Sequence, residues 1–206
     1  SQILENDGTG HYSDITTGSG FSLSNMTPLE SVMEDFDNDG FVDILVSGTS
    51  YNYFHNNGNH TFTKLPVIFG TDNMASFAIG DLNHDGKVDV YASYAIPYTT
   101  PSSKDDVYWL NSTNNGNHFL TLNLIGTASN EGALGARAEI YGAWGKQLRE
   151  VHAGESYGTC NTSNLHFGLG TATDIDSVVI RWPSGAVKTI VNPAIDQFMT
   201  VKEDAC

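Results

Sequence analysis

Two nine-residue stretches, DFDNDGFVD at Asp35–Asp43 and DLNHDGKVD at Asp81–Asp89, restrict this chain more than anything else in it. Each puts oxygen-bearing side chains at positions one, three, five and nine and a glycine at six, then runs straight into apolar residues. Carboxylates crowded this closely repel one another unless a cation sits among them. The glycine lets the backbone turn sharply, so that the odd-numbered side chains converge. The expected donors are Asp35, Asp37, Asp39 and Asp43 with the Phe41 carbonyl, and Asp81, Asn83, Asp85 and Asp89 with the Lys87 carbonyl. The Lys87 ammonium is expected to point to solvent. Every donor is a hard oxygen, with no Cys or His cage, which selects Ca2+ over Zn2+, Cu2+ or Mg2+ and predicts two ions. An EF-hand would need a bidentate Glu in a helix at position twelve, where this chain has Val46 and Ala92 inside strand patterns. Tight loops between strands make the sites structural rather than sensory.

The loops recur 46 residues apart, and they are not alone in recurring. NDGTGHYSDIT (Asn6–Thr16) aligns with NNGNHTFTKL (Asn56–Leu65) 50 residues on, and DVYWLNSTNNGNHF (Asp106–Phe119) is a third, partial copy without a new acidic loop. Each unit reads as acidic loop, strand, turn, aromatic strand, Asn-Gly turn and a further strand. Elsewhere, apolar residues alternate or cluster in short runs bounded by Gly, Asn, Asp and Pro, and no segment has a helical period. Strands are predicted at Val42–Ser47, Tyr51–His55, Thr61–Lys64, Phe77–Ile79, Val88–Tyr94, Val107–Leu110, Phe119–Ile125, Ala136–Tyr141, Gln147–His152, Ser177–Trp182, Val187–Val191 and Phe198–Lys202. The chain is all-β. Two repeats and fragments are too few to close a propeller, so something else must cover the last faces. After about Asn117 the charged loops vanish and Gly-rich strand pairs take over. We therefore divide the chain into propeller-blade-like repeats at 1–116 and a β-sandwich-like unit at 117–206 packed on them.

These motifs resemble known families. The two acidic loops with their Asn-Gly turns are similar to the FG-GAP/VCBS-type repeat of integrin-like propellers and many secreted proteins. NHFLTLNLIGTASNEGALGARAEIYG and the LGAR, HFGLG and RWPSG blocks that follow resemble the ASPIC/UnbV domain, in that family's order. The first resemblance implies calcium in the acidic loops. The second implies no catalytic role.

Composition narrows the partners. The 206 residues carry 24 acids against 9 bases, a net charge of −15, which disfavours nucleic acid and anionic membranes and suits cations. No apolar run approaches the length of a membrane span, and no basic leader opens the chain, so any signal peptide is expected to have been removed or never present. Cys160 and Cys206 form an even pair in an acidic, lysine-poor chain, consistent with one disulfide in an oxidising compartment worth about 4 kcal/mol; two separate thiols are the alternative. The sequons at Asn25, Asn59, Asn111 and Asn161 are candidate glycan acceptors, in a number that chance alone would give.

Catalytic signals are weak. GESYG (Gly154–Gly158) matches G-x-S-x-G, but His166 and Asp174 follow in the wrong order and no helix is predicted to carry a nucleophile elbow. His152 and His166 have no third zinc-type partner, and Trp144 and Trp182 read as packing residues. Tyr51, Tyr53, Tyr91, Tyr94, Tyr98, Tyr108 and Trp109 would serve either as core or as a carbohydrate-stacking platform. The expectation is a non-enzymatic, extracellular or cell-surface module, calcium-stabilised and adhesive. It works through a protein partner or through its own copies, as a head-to-tail filament. A calcium-dependent carbohydrate-binding module is the alternative.

Overall fold

The computed structural model describes residues 1–66, 68–94, 103–155 and 157–204. Among these, every regular element is a strand. β1 (Leu4–Asn6) and β2 (Tyr12–Asp14) form a hairpin, exposed along both strands, that pairs with no other described strand. An antiparallel meander follows, made of β3 (Pro28–Glu34), β4 (Asp43–Gly48), β5 (Asn52–Asn56) and β6 (Phe62–Lys64). A second unit contains β7 (Met74–Gly80), β8 (Asp89–Tyr94) and β9 (Val107–Trp109). Each acidic loop joins the first two strands of its unit. The units pack side by side, with Leu45 and Tyr53 of one against Phe77, Val90 and Ala92 of the other.

The remaining strands build a two-layer sandwich: β10 (His118–Ile125), β11 (Arg137–Gly142), β12 (Gly145–Glu150), β13 (Leu165–Gly170), β14 (Ser177–Arg181), β15 (Val187–Val191) and β16 (Gln197–Lys202). One sheet runs β13-β10-β16, with β10 and β16 parallel; the other runs β12-β11-β14-β15 and is antiparallel throughout. Alternate residues of the first sheet (Leu120, Leu122, Phe167, Leu169) face Ala138, Ile140, Val178 and Ile180 of the second. Truncating the fully buried Phe167 to alanine would cost about 3–5 kcal/mol. Trp182 sits in this core and Trp144 packs against it, as expected.

Among the described residues no sheet closes on itself. The missing cover comes from the sandwich. Phe119 and Thr121 of β10, His166, Gly168 and Gly170 of β13 and Phe198 of β16 alternate with the core residues and so turn toward the repeats. The stretch from Thr159 to Thr162 also lies along β7, where the Thr162 N–H donates to the Ile79 carbonyl at 3.0 Å and Asn161 Oδ1 accepts the Ile79 N–H at 3.1 Å.

The strand reading missed β1, β2, β3 and β13. β3 opens on a proline, tolerated at a strand's first position, and most of its residues are exposed. β13 is buried on both faces and carries two glycines, so it shows neither alternation nor β-branched residues. The third partial repeat needs a correction. β9 takes the place of β5, pairing Val90 with Trp109 as Ile44 pairs with Phe54, but the Asn-Gly turn after it leads into β10 of the sandwich rather than to a further strand of its own unit.

Candidate metal centres

The two acidic loops have the same hydrogen-bonded frame. In the first, the Asp39 N–H is shared between Asp35 Oδ1 at 3.1 Å and Asp37 Oδ1 at 3.3 Å, and the Gly40 N–H reaches Asp35 Oδ2 at 2.8 Å. The second repeats this with the Asp85 N–H at 3.1 Å from Asp81 Oδ1 and 3.2 Å from Asn83 Oδ1, and the Gly86 N–H at 2.9 Å from Asp81 Oδ2. The Phe41 and Lys87 amides close the two loops onto Asp39 and Asp85. Position four is left-handed in both, with Asn38 at φ 60° and His84 at φ 58°. Such angles suit short polar residues that bond locally. The ninth positions match too, since Asp43 Oδ1 accepts the Asn56 N–H and Asp89 Oδ1 the Asn111 N–H, both at 2.8 Å.

Their surroundings differ. Asp43 and Asp89 are both sealed from solvent, but at the first position Asp35 is sealed where Asp81 is half-buried. Burial pushes the Asp35 carboxyl up to about 8, against the Gly40 hydrogen bond and with the neighbouring Asp39, Asp37 and Asp43 adding to the rise. Asp43 is raised to about 6 by burial, opposed by donors from Tyr53 and Asn56. The nearby basic group in this loop is one the sequence reading did not include. His55 places Nδ1 3.2 Å from Asp43 Oδ1 and 3.6 Å from Asp37 Oδ2, with Nε2 3.9 Å from Asp39 Oδ2. Asp37, Asp39 and His55 could together hold a metal ion. The signal for His55 was available only in the strand register, which sets it beside the residues flanking Asp43. In the second loop the corresponding position is the apolar Leu110, and Lys87 Nζ turns back to 3.5 Å from Asp85 Oδ2 instead of pointing away.

The chemistry of the expected donors, all hard oxygens, suits a hard divalent cation; among the described residues, only Asp37, Asp39 and His55 already bring three ligand atoms together. In each loop the first carboxylate is oriented by two backbone N–H groups, and the third- and fifth-position oxygens are drawn to the same turn. Asp35, Asp37, Asp39 and Asp43, and Asp81, Asn83, Asp85 and Asp89, would hold it.

Both loops press on the outer face of the β13-β10-β16 sheet. A Cβ on Gly168 would overlap Asp35 Oδ2, and one on Gly86 would overlap the Phe119 ring. The Gly170 N–H donates to the Asn38 carbonyl at 2.7 Å, and His84 meets Phe198 edge-on at 5.1 Å. The alternate residues of HFGLG thus form the seat of the first loop.

Other candidates fall elsewhere. His166 is buried, with Nδ1 3.0 Å from Thr121 Oγ1 and Nε2 2.6 Å from Asn38 Oδ1, so it braces the interface. Position 156 of GESYG lies outside the described residues, as do Tyr98 and Cys206; the Cys160–Cys206 bridge therefore falls partly outside them, and Cys160 is exposed. Tyr51, Tyr53 and Tyr94 are core residues, while Tyr108 is exposed and pairs with Tyr91 at 4.8 Å. Asn25 and Asn59 are exposed. Asn161 Oδ1 holds β7, and the Asn111 side-chain nitrogen donates to the Phe36 and Val88 carbonyls at 2.6 and 3.1 Å, so Asn111 is a brace rather than a free acceptor.

Comparison with known proteins agrees with the order of the motifs. Residues 35–92 match the FG-GAP-like repeat, and residues 126–206 match the family described as ASPIC and UnbV. No curated protein matches the chain. The second match begins after β10, although that strand is central to the sandwich.

Proposed function

We propose that this FG-GAP-like repeat, joined to an ASPIC and UnbV domain, is a calcium-stabilised structural module of the cell exterior that acts through protein contacts. The observation that carries the reading is the pair of acidic loops built on one frame and seated on one sheet. A Ca2+ ion in each would neutralise the crowded carboxylates and hold the loop against the sandwich. The same reading gives the protein an adhesive or scaffolding role and no catalytic one.

Assembly is the form of contact we favour. The β1–β2 hairpin repeats the turn of β5–β6: the Asp7 N–H bonds the His11 carbonyl as the Asn57 N–H bonds the Thr61 carbonyl. Where β4 pairs with β5, β1 has no corresponding strand among the described residues. Exposed strand edges are usually covered; in this reading another copy of the chain pairs there, adding head to tail. Metal analysis with light scattering and electron microscopy, each with calcium and with chelator, tests both parts. Two bound Ca2+ ions and calcium-dependent assemblies are expected. A protein without calcium overturns the first part, and a calcium-loaded species that stays monomeric at micromolar concentration overturns the second. Carbohydrate recognition is the second reading, favoured by the exposed Tyr108 beside the half-buried Tyr91; a chelator-sensitive glycan-array signal would select it.

A further inference from the structure

The two loops touch each other through a side chain that is not among the expected ligands. Asn38, at position four of the first loop, is buried, and both ends of its side-chain amide and its backbone carbonyl are engaged. Its Nδ2 donates to the Gly86 carbonyl of the second loop at 2.9 Å. That fixes Oδ1 as the acceptor facing His166 Nε2 at 2.6 Å, so His166 carries its proton on Nε2 and receives the Thr121 hydroxyl on Nδ1. The backbone carbonyl of Asn38 takes the Gly170 N–H. Gly86, at the far end of the link, donates its own N–H to Asp81. A continuous chain of hydrogen bonds, buried except at its Asp81 end, therefore runs from His166 through Asn38 and Gly86 to Asp81. A second bridge runs parallel to it, since the Asn111 amide bonds the Phe36 carbonyl in the first loop and the Val88 carbonyl in the second, while the Asn111 N–H holds Asp89.

We infer that Asn38 is a positioning residue that couples the two loops, so that calcium bound in one raises the affinity of the other. The inference rests on the calcium reading above. A loop closing around a cation fixes its backbone, and with it the Asn38 amide or the Gly86 carbonyl. If either loop rearranged alone, the other would be left with a buried polar group and no partner, an unfavourable state. The second ion then meets a loop that is already ordered and binds more tightly for that reason. Of the two position-four side chains, only Asn38 joins the loops, beside the Asn111 bridge. Its counterpart His84 is exposed, meets Phe198 edge-on, and makes no hydrogen bond to the first loop among the described residues.

Calorimetric titration of the intact, calcium-stripped protein with Ca2+ tests this. The wild type should bind two ions with positive cooperativity, the second about tenfold more tightly than the first. Asn38→Gly keeps the left-handed backbone and removes the amide; it should still bind two ions, with the cooperativity reduced. As a check that does not depend on that variant folding, the double substitution Asp37→Asn, Asp39→Asn disables the first loop and should lower calcium affinity at the second about tenfold. Two independent sites in the wild type, with second-loop affinity unchanged in the double variant, would overturn the coupling while leaving calcium binding in place. No heat of binding at all would overturn both.

Discussion

Asp35 and Glu203 are both shut away from solvent, at 0% and 2% exposure, yet their carboxyls are displaced in opposite directions. Burial tends to raise both. For Glu203 this is outweighed by hydrogen bonds from the Ser184 hydroxyl, the Ser129 and Thr127 amides and the Ser129 hydroxyl, which hold it at about 2. Its Oε2 alone accepts the N–H groups of Thr127, Ala128 and Ser129 at 2.8, 2.9 and 2.8 Å. Asp35 has two backbone donors and three acidic neighbours, and its carboxyl rises to about 8. The sandwich thus completes its buried charge with donors of its own chain. The repeats gather acidic groups that their own donors do not complete, which is what the proposed calcium would supply.

Chelation should break this comparison most visibly. A ligand bound only to the folded state stabilises by roughly 2.7 kcal/mol at a hundredfold excess over Kd, so two calcium ions would contribute roughly 5 kcal/mol. Scanning calorimetry with and without EDTA should show a large fall in Tm; an unchanged melt would mean that the repeats need no cation. Gly168→Ala comes next. Its Cβ would be driven into the Asp35 carboxylate, and we expect a loss of about 3 kcal/mol, read as a lower urea midpoint. Gly8→Ala, in the exposed hairpin turn at φ 83° with open space around it, should cost only about 1 kcal/mol by the same measurement.

Glu203→Gln sharpens the other side. Because the folded pKa lies below the ordinary value, its stabilisation is complete above pH 4.5 and is lost as the pH falls toward about 2. The wild type should therefore lose urea resistance across that window, and the variant should lose less of it. Equal acid slopes would show that the carboxylate contributes nothing. Lys87→Ala is expected to change stability least, by about 0.5 kcal/mol or less, because its contact with Asp85 is partly exposed and long at 3.5 Å.

Much of this was legible in the chain. The spacing of Asp35, Asp37, Asp39 and Asp43 encodes its own frame, since each contact lies within a few residues. Alternation located most strands, and the shortage of repeats implied a cover from elsewhere. What could not be read were contacts between distant segments. HFGLG gave no strand signal, because His166, Gly168 and Gly170 are shaped by the loop they seat rather than by the sheet they belong to. His55 and Asn111 were hidden for the same reason: one read as a strand residue, the other as a sequon, and only the register reveals their partners.

The parallel pairing of β10 with β16 sets an order of events during synthesis. Asn123 and Thr200, bonded across that pair, are 77 residues apart in sequence, and every strand of the other sheet is made between them. Closing so long a loop is entropically slow, so sandwich formation must wait until β16 has left the ribosome. Both acidic loops are translated well before then. They emerge with their carboxylates exposed and nothing to rest on. The nascent repeats are therefore the stretch of this protein most in need of protection while it is being made.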